Sequence, residues 1–167
     1  VFAVGKPDGV GKSSARETEQ VQSRLTNGKL KSCQAKENAI KNRSTRLVDL
    51  VANMETKFDA IATRVETYYT SKVLPGKTVA NYATLVSNIA TKKTAVTTAL
   101  TKAQTDANSF TCTSSDPKAQ MTLFREDMQA VKSALKEYRT AIKNLIVAVR
   151  SVTGEENSAS PSAKPTK

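Results

Sequence analysis

The chain contains no histidine and no tryptophan, and aromatic residues make up only 5% of it. Without histidine there is no side chain that titrates near neutral pH, and the commonest transition-metal ligand is missing. Cysteine is nearly as scarce. With two thiols in all, Cys33 and Cys112, a Cys/His metal site cannot be assembled, so no metal is expected. The few aromatics exclude a deep aromatic ligand pocket or a base-stacking platform. No run of roughly 18 or more apolar residues occurs, so nothing reads as a transmembrane segment. Carboxylates, Lys, Ser and Tyr are the chemistry that remains. No pair of them stands out, so we expect neither an enzyme nor a cofactor.

One short motif is a decoy. Gly11-Lys12-Ser13 echoes the tail of a phosphate-binding loop, whose pattern also requires a glycine where Lys6 stands. The rest of the chain offers no parallel sheet to hold such a loop, and no nucleotide site is assigned.

What the chain does have is periodicity. Three stretches carry mostly apolar residues at alternating three- and four-residue steps. The first runs Leu30, Cys33, Glu37, Ile40, Ser44, Leu47, Val51, Met54, Phe58, Ile61, Val65, Tyr68. The second runs from Val79 through Val86, Ile89, Lys93, Val96, Leu100, Ala103 and Ala107 to Phe110, and the third from Met121 through Phe124, Val131, Leu135, Tyr138 and Leu145 to Val152. A mean step of about 3.5 residues is the seam of a left-handed coiled coil. The predicted fold is all-α: an elongated, antiparallel, up-down-up three-helix coiled-coil bundle over residues 29–153.

Punctuation places the helices at about 29–73, 78–110 and 117–153. Pro75-Gly76 breaks the first from the second. Asp116 as N-cap with Pro117 at the first helical position opens the third, and Gly154 closes it. Residues 1–28 read as a flexible segment with a short helix at about 17–26, stopped by Asn27-Gly28. Val1 and Ala3 fit the small-residue rule of a secretory cleavage site, making 1–3 a signal-peptide remnant. Residues 154–167 are small, polar and Pro-containing, and read as a disordered tail.

Short connections between long helices make neighbours antiparallel, so the end of the second helix returns to the start of the first. Counted from the turn, Cys112 falls about 7 Å from the level of Cys33 at 1.5 Å per residue, a gap that the non-helical residues around Cys112 can span. We expect a Cys33–Cys112 disulfide, and hence an oxidising, extracytoplasmic location, in preference to two buried free thiols.

The net charge is +11. An excess of this kind either solvates the surface or marks an anionic partner. It is concentrated: residues 29–46 hold Lys29, Lys31, Lys36, Lys41, Arg43 and Arg46 against Glu37 alone. These six are the candidate anion-binding residues. Rows of Lys and Arg flank the seam on the first and third helices, where charged residues ordinarily shield a coiled-coil core. The second helix presents an outward ridge of threonines from Thr84 to Thr105, read as a solvated face or as a hydrogen-bonding surface.

Through CQAKENAIKNRSTRL, VETYYTSKVLPGKTV and FREDMQAVKSALKEYRTAIKNLIVAV, most of residues 30–153 resembles exported coiled-coil proteins of reduced-genome bacteria. No activity is assigned to those proteins. The resemblance therefore implies an envelope or extracellular setting and transfers no functional residue. The expected function is a non-enzymatic, exported helical structural or interaction module at the cell envelope, its partner an unidentified protein or an anionic envelope polymer. The alternative is a polyanion binder, for DNA, acidic wall polymer or anionic lipid, working at the disulfide end. A chaperone-like holdase would need an exposed apolar cleft, for which three complete ladders leave little surface.

Overall fold

The computed structural model describes residues 13–154, with side chains from Thr26 onward. Residues 1–3, read as a signal-peptide remnant, the glycines of the decoy motif and the segment from Glu155 lie outside these residues. Helix α1 spans Ser13–Tyr68, α2 Tyr82–Ser109 and α3 Pro117–Thr153, and a π-helical turn, Tyr69–Val73, continues α1. Among the described residues there is no strand. The all-helical, three-helix architecture is as the periodicity requires.

The boundaries need two corrections. First, residues 13–28 are not a flexible segment with a separate short helix: α1 passes straight through Asn27-Gly28. Gly28 has no left-handed backbone. An interior glycine costs about 1 kcal/mol, less than nucleating a second helix beside good formers such as Leu25, Lys29, Leu30 and Lys31. Second, α2 starts at Tyr82, not 78. Val79 is buried, and its amide donates to the Tyr69 hydroxyl at 3.2 Å, which commits that amide outside a helix. Stacking of Tyr69 on Tyr82, with ring centroids 3.9 Å apart, fixes the corner. The turn at Pro75-Gly76 forms without a positive φ, which among the described residues occurs only at Gly154 (77°). A Cβ built on Gly28 meets nothing within 4 Å. Gly28→Ala should therefore raise helicity and slow amide exchange in the first turns of α1 by about fivefold, with core exchange unchanged.

Contacts give the topology. Lys92 meets Glu137 and Lys102 meets Asp127, so α2 and α3 run in opposite directions. Asp59 on α1 meets both Lys93 and Tyr138. The helices run up, down and up. The α2–α3 pair is the most closely apposed, because α2 offers Val96, Ala103 and Ala107, all fully buried, and small side chains let the backbones approach. Against it α3 places Val131, Leu135, Tyr138, Ile142, Leu145 and Val149.

The first ladder is only partly buried. Ile40, Leu47 and Val51 are in the core, but Ile61 and Tyr68 are 41% and 43% exposed, while Ala62 and Tyr69 take their places at 6% and 4%. A straight α-helix has 3.6 residues per turn and drifts by about 20° per heptad against a 3.5 repeat. Over the heptads from Leu47 to Tyr68 the seam slips by one residue. The buried face of α1 therefore follows the 3.6-residue period more nearly than a strict heptad in this half.

Candidate functional site

The disulfide end is organised by the loop between α2 and α3. Phe110 turns extended (φ −63°, ψ 124°) and drives its ring into a small core with Ile40, Ala107 and Phe124. The Gln120 side chain clamps the break: its Oε1 accepts from the Thr111 amide at 3.2 Å and its Nε2 donates to the Ser109 carbonyl at 3.4 Å. Asp116 caps α3 by accepting from the Ala119 amide at 2.8 Å. So held, Cys112 bonds to Cys33, with Cα atoms 5.8 Å apart. Glu37, polar in a core row, belongs to this unit. The Lys41 ammonium, 2.7 Å away, and then the Cys112 amide hold its carboxyl below the usual range.

All six candidate basic residues are exposed. Lys41 is tied to Glu37, whereas Lys29, Lys31, Lys36, Arg43 and Arg46 have no ion-pair partner among the described residues. The structure also aligns the two basic rows. Lys29 and Lys36 of α1 share one cleft with Lys118 of α3, and Arg43 shares the next with Arg125. Spacing along each helix gave the rows separately, and only the bundle brings members of both rows to the same two clefts.

The first of these clefts overturns the expectation of little apolar surface. It is an open cleft of about 950 Å³, and its walls include the disulfide, Phe110, Pro117, Met121 and Leu30, the last 42% exposed. Leu30 stands on the ladder, but α2 and α3 end near its level, so among the described residues it is only partly covered. The threonine ridge corrects the other way. Thr91, Thr94, Thr98, Thr101 and Thr105 each donate to the carbonyl four residues back, so their hydroxyl protons are spent within α2.

Two polar clusters pin the helices together. In the first, Asp59 accepts from Lys93 at 2.7 Å and from the Tyr138 hydroxyl at 2.5 Å, linking all three helices. Burial pushes Asp59 up, but the two hydrogen bonds and the Lys93 charge outweigh it and hold the carboxyl below its ordinary value. Burial, reinforced by Asp59, keeps Tyr138 protonated well past the usual phenol range. Lys93 was legible as a core-row oddity, whereas Asp59 lies off the ladder and gave no signal.

In the second cluster Lys102 donates to Asp106 at 2.9 Å and to Asp127 at 2.5 Å. Asp127 is 3% exposed, and its Oδ2 has no donor. Burial, together with the neighbouring Asp106, raises the Asp127 carboxyl despite Lys102. Between the unfolded value, about 3.9, and this raised one, the folded state binds more protons than the unfolded, so this group's contribution to stability declines as pH rises. Asparagine would keep the acceptor for Lys102 and offer Asp106 an amide. Asp127→Asn should therefore abolish this part of the pH slope and gain about 1 kcal/mol at pH 7, read from urea unfolding between pH 4 and 8.

Among the described residues no group of three or more Cys, Asp or Glu is placed to hold a metal ion, and no helix is long and apolar enough to cross a membrane. No family model, curated protein or solved structure matches the chain.

Proposed function

We propose that this protein is a non-enzymatic, exported helical module of the cell envelope, a rigid three-helix rod that presents a partner-binding surface at its disulfide end. The observation that carries this reading is the Cys33–Cys112 bond, which closes a loop of sequence separation 79 and fastens the lower half of α1, at Cys33, to the α2–α3 corner. Disulfides of this kind persist in oxidising compartments, and fixing the geometry of one end of a rod is what a recognition surface needs. The polar clusters serve as struts between helices, Asp59 joining all three and Lys102 joining α2 to α3, which suits a rigid structural part. Fractionation of cells with intact-mass measurement under non-reducing conditions tests the location: oxidised protein in the extracytoplasmic fraction supports it, and reduced protein confined to the cytosol overturns it.

The basic residues that α1 and α3 bring to these two clefts favour a second reading, binding of a polyanion along them. Affinity for a probe such as polyphosphate or duplex DNA should fall steeply with added salt as counterions are released. Charge reversal at Lys36 and Arg43 should weaken it by about tenfold or more at low salt and flatten the log–log salt slope by roughly 2. A salt-independent affinity would exclude this mode.

A further inference from the structure

We propose that the cleft at the disulfide end holds the acyl chain of a single-chain anionic amphiphile, with its headgroup on a lysine collar. The inference rests on the anion-binding reading of this same end and narrows its ligand.

Two features found side by side carry it. The floor is apolar: the Cys33–Cys112 bridge, Phe110, Pro117 and Met121, with Leu30 left 42% exposed on the overhanging stretch of α1. The rim is cationic: Lys29 and Lys36 from α1 and Lys118 from α3, all exposed and without ion-pair partners among the described residues. A polyanion such as nucleic acid would satisfy the rim and leave the floor wet. A neutral amphiphile would cover the floor and leave three ammonium groups without a counter-charge. A chain of methylenes ending in a phosphate or carboxylate matches both, and at about 950 Å³ the cleft lies in the size range of small-ligand sites, roughly 300–1,000 Å³.

Other occupants fit less well. A second copy would bring a like-charged end to this one, since residues 29–46 carry six basic residues against one acidic. The acidic start of the C-terminal segment, Glu155-Glu156, leaves α3 at the other end of the rod. That is about 55 Å away at 1.5 Å per residue of α3, whereas two residues past Gly154 reach only about 7 Å. Residues 1–12 carry Lys6 and Lys12 against Asp8 and supply no acidic complement.

The test is titration of the oxidised, full-length chain with methyl, octyl and dodecyl phosphate below their micelle thresholds, with dodecyl maltoside and polyphosphate as separate arms. Affinity should rise by roughly threefold per methylene between the short and long phosphates. Leu30→Asn, a change at an exposed position that leaves the core intact, should weaken dodecyl phosphate by about fivefold and leave polyphosphate unaffected. Lys36→Glu with Lys118→Glu should weaken dodecyl phosphate by about tenfold or more. Polyphosphate binding without chain-length dependence would overturn this proposal and leave the anion reading standing, whereas no binding to either would remove both. Equal affinity for dodecyl maltoside, or binding to phosphatidylglycerol vesicles without binding to monomeric dodecyl phosphate, would also overturn it.

Discussion

Replacing both Cys33 and Cys112 by serine should lower the free energy of unfolding by about 4 kcal/mol, the chain-entropy value for freeing a loop of sequence separation 79. For a chain with this much ordered helix that corresponds to roughly 15 °C in Tm. The expected loss is large because little else holds the lower part of α1. Below Ile40 its core-row residues are half-buried or exposed, and the local cluster reduces to Ile40, Ala107, Phe110 and Phe124. Hydrogen exchange should show the stretch from Thr26 to Ile40 opening in the variant, while α2 and α3 keep their protection relative to one another. A loss below about 1 kcal/mol would mean that Phe110 and Gln120 hold the corner without the bond, and the geometry of this end would then not depend on oxidation.

The second large effect is expected at Tyr138, which is fully buried, meets Phe58 edge-on with ring centroids 5.3 Å apart, and donates to Asp59. Tyr138→Ala should cost about 4 kcal/mol, from lost burial and the cavity left between three helices. Tyr138→Phe should cost about 1.5 kcal/mol, since the ring contacts remain and Asp59 loses one donor but keeps Lys93. The two variants separate packing from polar linkage. The phenylalanine variant also carries a pH signature. The folded-state carboxyl of Asp59 is held below its unfolded value, so its contribution is present above about pH 4 and is lost as pH falls through the lowered folded value. The gap in stability between wild type and Tyr138→Phe should therefore narrow on acidification from pH 7 to pH 3 in urea titrations. A constant gap would show that the hydroxyl acts independently of the Asp59 charge.

Much of this was legible in the residues themselves. Helix α3 begins and ends where Asp116-Pro117 and Gly154 say it should, because capping chemistry is local. The disulfide was legible because helix rise and a short turn fix how far each cysteine lies from the corner. Less was legible where a decision is shared between segments. Asn27-Gly28 looks like a stop, but whether a helix stops depends on the competing cost of starting another. The exchange of Ile61 and Tyr68 for Ala62 and Tyr69 depends on whether α1 supercoils, and a heptad pattern read from one strand does not say whether its neighbours wind with it.

By its order of residues alone, this protein determined three amphipathic helices, their direction reversals, the meeting of its two sulfurs and a concentration of positive charge near one end. Each follows from short-range geometry: periodicity, capping, rise per residue. The tertiary structure alone decided that basic residues of α1 and α3 share clefts, that Leu30 stays partly exposed beside the disulfide, that Asp59 links three helices, and that Asp127 is buried between α2 and α3. Those facts depend on relative rotation and on where each helix ends against its neighbours, quantities set by packing in three dimensions and carried by no local stretch of the chain.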